Sequence, residues 1–177
     1  MSGRSPWQWA WPVWLAGVAL ALLPVGDVLA VERGALEAAI VFNVLQFVEW
    51  PNETALPDGS PLTLCLRSDS PLMAPARLLE GRAVRRMALR VARLDGPEHA
   101  CQAVYIDSAA AEQDARSAAH EPALVIGASD YRPAPRPSIQ LVFAEGRLAF
   151  DIDQRKAQQS GLSISSRLLR LARTVAE

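Results

Sequence analysis

Aromatic residues and lysine are scarce in this 177-residue chain, and the familiar catalytic signatures are missing. Aromatics make up 6% of the sequence, and four of the five tryptophans stand in the first fourteen residues, so any core built after them must be aliphatic. Lys156 is the lone lysine; every other basic residue is arginine, a compositional bias with no function attached. The net charge of −1 offers no basic surface for nucleic acid or an anionic membrane. The two histidines, His99 and His120, have no acidic or cysteine neighbour at ligand spacing, so they read as surface residues and no metal is expected. There is no GxSxG elbow, and Gly127-Ala128-Ser129 is too short to cradle a phosphate. Asp151 and Asp153 flank Ile152 and would share one face of a strand. Such a pair can do acid–base work, but more often it is a helix cap plus a solvated carboxylate, and it is read so here. No catalytic, cofactor-binding or metal residue is assigned, and the expectation is a protein that is not an enzyme.

The amino-terminal segment is the richest local signal. Met1–Pro6 carries one side-chain cation, Arg4; Trp7–Leu23 is apolar but for Gln8; Pro24, Gly26 and Asp27 break the run; Val28-Leu29-Ala30 closes it with small residues. This is the layout of a secretory signal peptide. An uncleaved anchor is the rival reading, against which stand Pro12 and an apolar run short of the roughly 20 residues that span a bilayer. The expected division is therefore residues 1–30 as a cleaved signal peptide and residues 31–177 as one domain. That domain would face an oxidising space, most simply a periplasm. No repeat or low-complexity tract suggests a further boundary.

Cys65 and Cys101 are the only cysteines. Neither sits in a CxxC, which leaves thioredoxin-type redox chemistry and a ribbon-type zinc site without support. In an exported chain an even count suggests a bridge; two buried thiols packed as small hydrophobes are the alternative.

Patterning along the remaining chain alternates between strand and helix. Glu32–Trp50 reads as a helix whose stripe is Leu36, Ile40, Val44 and Val48 with Phe47 beside it, stopped by Pro51. Strands are expected at Leu62–Arg67, Met87–Leu94, Cys101–Asp107, Leu124–Gly127, Ser138–Phe143 and Arg147–Ile152, the last two joined by a Glu145-Gly146 turn. Helices are expected at Pro71–Leu79, Ala109–Ala119 and Gln154–Ser160, and from Ser163 or Ser165 to Arg173, the last with Leu168, Leu169 and Leu171 inward. The sum is a single-domain α/β sandwich: a mainly parallel sheet flanked by helices, with an antiparallel carboxy-terminal hairpin. Arg82, Arg85, Arg86, Arg90 and Arg93 form a cationic segment that could meet an anionic partner, although such residues are usually a wet face. Arg167, Arg170 and Arg173 suit the dipole at the end of the last helix.

Four blocks, in order and at matching spacing, resemble the YfiR family of periplasmic proteins. They are Phe42-Asn43-Val44-Leu45-Gln46-Phe47-Val48-Glu49-Trp50-Pro51, Leu62-Thr63-Leu64-Cys65, Cys101-Gln102-Ala103-Val104-Tyr105-Ile106, and a last block of Gly146-Arg147-Leu148-Ala149-Phe150-Asp151-Ile152 followed by Gly161-Leu162-Ser163-Ile164-Ser165-Ser166-Arg167-Leu168-Leu169-Arg170-Leu171-Ala172. The resemblance implies a soluble inhibitor that binds the periplasmic sensor part of an inner-membrane diguanylate cyclase and holds cyclic-di-GMP synthesis down. It implies an outer-membrane lipoprotein that draws the inhibitor away, and a structural bridge between Cys65 and Cys101. The second cysteine pair of the family's namesake is missing here, which removes redox switching by a second bridge. A second copy of the chain is a further candidate partner. The alternative function is a periplasmic module for a small ligand or envelope protein, unrelated to cyclic-di-GMP.

Overall fold

Eight short strands, rich in aliphatic residues, form one mixed sheet in a computed structural model that describes residues 25–51, 53–96, 100–117 and 124–177. In chain order the elements are α1 (Val25–Gln46), β1 (Val48–Glu49), β2 (Pro61–Leu66), α2 (Met73–Arg77), β3 (Ala83–Val84), β4 (Met87–Arg93), β5 (Ala103–Ile106), α3 (Ala109–Ser117), β6 (Leu124–Gly127), β7 (Ile139–Ala144), β8 (Arg147–Asp153), α4 (Gln154–Gln159), β9 (Ser163–Ile164), α5 (Ser166–Leu171) and β10 (Thr174–Ala176). The sheet runs β10-β8-β7-β6-β5-β2-β4-β3. Its centre is parallel, from β4 through β2, β5 and β6 to β7. The β7–β8 hairpin and the short β3 are antiparallel additions. Purely apolar strands such as β5 and β6 suit a parallel sheet covered on both faces.

Strand alternation divides the core. Leu62, Leu64 and Leu66 of β2 join Val41, Phe42 and Leu45 of α1 in the main cluster. Cys65, between them, points the other way. It joins Val104, Ile106 and Ala111 in a smaller cluster beneath α3. Cys65 and Cys101 are bridged on this second face, with Cα atoms 5.7 Å apart. Cross-linking positions 36 residues apart removes about 3–4 kcal/mol of unfolded-chain entropy in the loop-closure treatment.

The first helix departs from expectation in length and in rotation. It ends at Gln46, because Val48 pairs with Ile164 in a two-stranded ladder and the Ser165 amide donates to the Phe47 carbonyl at 2.9 Å. Its buried face is Gly34, Glu37, Ala38, Val41, Phe42, Val44 and Leu45; Leu36 is 45% exposed and Ile40 only half-buried. The sequence from Ala35 to Val48 is apolar nearly all round, so periodicity alone could not choose the face. Gly34 lets the helix approach the α2 side: a Cβ there would lie 3.0 Å from the Pro71 carbonyl oxygen. The last helix is also shorter than expected. Ser165 caps α5, its hydroxyl accepting from the Arg167 amide at 3.2 Å, and Leu168 is buried. Leu171, expected inward, is 67% exposed, and the chain turns extended at Ala172 to form β10 beside β8.

Candidate functional site

Where the parallel strands end, carboxylates gather. Asp69 follows β2, Asp107 follows β5 and Asp130 follows β6; with Arg33, Glu37, Pro71, Leu72 and Tyr105 they line a cleft of about 460 Å³. The carboxyl ends of a parallel sheet are where open α/β folds place ligands. At its base Glu37 is only 4% exposed. The Tyr105 hydroxyl donates to its Oε2 and the Ser129 hydroxyl to its Oε1, so both oxygens of a buried carboxylate are engaged. Burial first, and then the Glu37 charge, push the Tyr105 phenol above its ordinary pKa and keep it a proton donor. Asp69 is held by Arg67 through a two-point contact of 2.9 and 3.1 Å, which keeps its carboxyl below the usual range. The same arginine reaches Asp114 on α3 at 2.6 Å. The Arg33 guanidinium sits over the Phe143 ring, 5.4 Å from its centroid. Asp107 Oδ2 is buried without a hydrogen-bond partner. Chemically the cleft offers hydrogen-bond acceptors and negative potential.

A second concavity, about 680 Å³, lies on the other face. It is lined by α3, by the proline-bearing crossover between β6 and β7, and by α4. Ile106 and Val125 form part of its apolar floor, and Arg116, Arg136 and Lys156 its charged margin.

The residues singled out by sequence fall in separate places. Asp151 pairs with Arg173 at 2.8 Å, and Asp153 caps α4, accepting from the Lys156 amide at 3.2 Å; each has its own structural partner, and both line a concavity of about 380 Å³ with Arg136 and Arg173. The cationic segment disperses into individual contacts. Arg82 stacks on Phe42 at 4.6 Å, Arg85 pairs with the buried Glu53 at 2.8 Å, Arg86 with Asp58 at 2.6 Å, and Arg90 is exposed. Arg173 lies beyond the helix end and belongs to the edge of the sheet. Trp50 is packed at 7% exposure, not displayed. His99 and His120, like residues 1–24 of the expected signal peptide, lie outside the described residues. No described helix is long and apolar enough to cross a membrane, and no three described His, Cys, Asp or Glu side chains gather to hold a metal ion.

Sequence reasoning passed over Glu37, Gln46 and Ser129. Glu37 carried a usable signal, an acid beside Ala38 and one turn before Val41 in an apolar helix. Gln46 had none, because its side chain clamps the distant β3–β4 turn, donating to Ala83 O at 2.7 Å and accepting from the Arg85 amide at 3.1 Å.

Compared with known families, residues 34–173 match the family model described as YfiR/HmsC-like. No curated protein matches the chain.

Proposed function

The chain belongs to the YfiR/HmsC-like family, and from that membership we propose an exported, non-enzymatic regulator that binds the periplasmic sensor region of a membrane diguanylate cyclase and lowers its output. The observation that carries this reading is the extent of the family match, residues 34–173, from within the first helix to just past the last one. Among the described residues Glu37, Asp151 and Asp153 are each engaged in contacts that join elements of the fold. Such a protein works through binding free energy alone. To inhibit, it must bind the inactive state of its target more tightly than the active one, since equal affinity shifts nothing. Export and processing after Ala30 belong to the same proposal; processing there would trim the start of α1 and leave its buried face intact.

Deletion of the gene, with the cyclase expressed, should raise cyclic-di-GMP and thicken biofilm. Restoring the exported protein should reverse both, and protein lacking residues 1–30 should not. Intact mass of the periplasmic form should start at Val31. Unchanged cyclic-di-GMP in the deletion strain would shift the reading to a periplasmic module for a small ligand or another envelope protein.

A further inference from the structure

A parallel sheet is normally covered on both faces, and here the two faces are covered unequally. The face toward α1 and α2 carries the large core cluster. The opposite face carries the small cluster around the disulfide, roofed by the nine-residue α3, and Val125 and Ala115 at its margin are only partly buried. The 680 Å³ groove opens at that margin. Among the described residues its rim holds Arg116, Arg136 and Lys156 against one carboxylate, Glu112, while Arg136 also faces Asp151 in the neighbouring concavity. Glu112 is already engaged, by Arg116 and by the Tyr131 hydroxyl at 2.9 Å. Among the described residues neither Arg136 nor Lys156 forms an ion pair. Lys156 and Arg116 instead donate to the carbonyls of Arg136 and Ala134, so the crossover holds the cations in place along the groove. The positive rim is local, since the chain as a whole carries a charge of −1.

We infer that this groove is the docking surface for the partner, and that it receives an acidic amphipathic segment of the cyclase's periplasmic region. Apolar side chains of the segment cover Val125 and Ala115, and its carboxylates meet Arg136 and Lys156. The inference rests on the function proposed above and adds the surface and the chemistry of its occupant. A concave apolar floor with a charged margin fits a side-chain-bearing segment; an anionic lipid surface is flat and would favour a protein of positive overall charge.

The test is binding of the full mature protein to the purified periplasmic region of the cyclase, measured by calorimetry at two salt concentrations. Four forms are compared: wild type, Arg136→Glu with Lys156→Glu, Ala115→Gln, and Arg90→Glu on the distant β4. Each variant is first matched to wild type in disulfide content and unfolding midpoint. The charge-reversed pair should bind on the order of tenfold more weakly and lose most of the salt dependence of affinity. Ala115→Gln should weaken binding while keeping that salt dependence, and Arg90→Glu should bind as wild type. Wild-type binding that all variants share would overturn the groove and leave the proposed function standing. A wild type that fails to bind would overturn the function and the groove's occupant together. Binding to phosphatidylglycerol vesicles that the charge-reversed pair loses would assign the rim to lipid and overturn the inference.

Discussion

The phenol of Tyr105 on the central strand β5 donates its hydrogen to the carboxylate of Glu37 on the buried side of α1. This contact joins residues 68 positions apart and ties the inward face of the helix to the sheet. Ser129, after β6, completes the arrangement from a third element.

Removing one member of this trio should cost more than removing two matched members. Tyr105→Phe takes a donor from a buried charge and should lower stability by about 1.5–3 kcal/mol, the usual range for hydrogen bonds to charged groups. Glu37→Leu leaves two buried hydroxyls without an acceptor and should lie in a similar range, about 1–3 kcal/mol for each unsatisfied group at most. The double variant should recover part of the loss. Urea unfolding of the four-membered cycle measures the coupling, and strict additivity would show the contact to be energetically idle.

Native protein should yield one linked peptide pair containing Cys65 and Cys101 when digested without reduction. Cys65→Ala should cost roughly 2–5 kcal/mol, as for native bridges in small exported domains. Two thiols that alkylate freely in native protein would contradict the geometry.

The rotation of α1 makes opposite predictions for neighbouring leucines. Leu45 is fully buried, and Leu45→Ala should cost about 2–5 kcal/mol as a core deletion. Leu36 is 45% exposed, and Leu36→Ala should change stability by no more than about 0.5 kcal/mol. Equal losses at the two positions would restore the stripe inferred from periodicity.

Acid should release the carboxy-terminal strand. The Arg173 guanidinium holds the Asp151 carboxyl below its ordinary value, and Thr174 of β10 stands in register with Asp151 of β8. A depressed folded-state pKa contributes stability that is fully present above the unfolded value, about 3.9, and is lost as pH falls through the folded one. Amide exchange in β10, corrected for its intrinsic pH dependence, should therefore accelerate below about pH 4. Asp151→Asn should exchange faster already at neutral pH and lose that dependence.

Much of the architecture follows from local chemistry. Apolar runs bounded by turns located β2, β4, β5, β6, β7 and β8 to within a residue or two. The Glu145-Gly146 turn has φ of 51° and 72°, which a glycine and a tolerant polar residue permit. Asp153 and Ser165 cap their helices as their side chains allow. The short elements were not legible: β1, β3, β9 and β10 are two or three residues each, and such segments become strands only because a partner strand is there to bond them.

The sequence by itself determined the alternation of strands and helices, the aliphatic core and a family resemblance spread over four blocks. Tertiary structure alone decided which face of α1 turns inward, which hydroxyls reach Glu37, that Gln46 and Arg85 meet, and that Arg85, Arg86 and Arg173 each go to a separate carboxylate. The physical reason is range. Turns, caps and strand alternation depend on residues a few positions apart, and their energetics can be read locally. A buried carboxylate is tolerable only when hydroxyls from distant strands reach it, and no local pattern records their arrival.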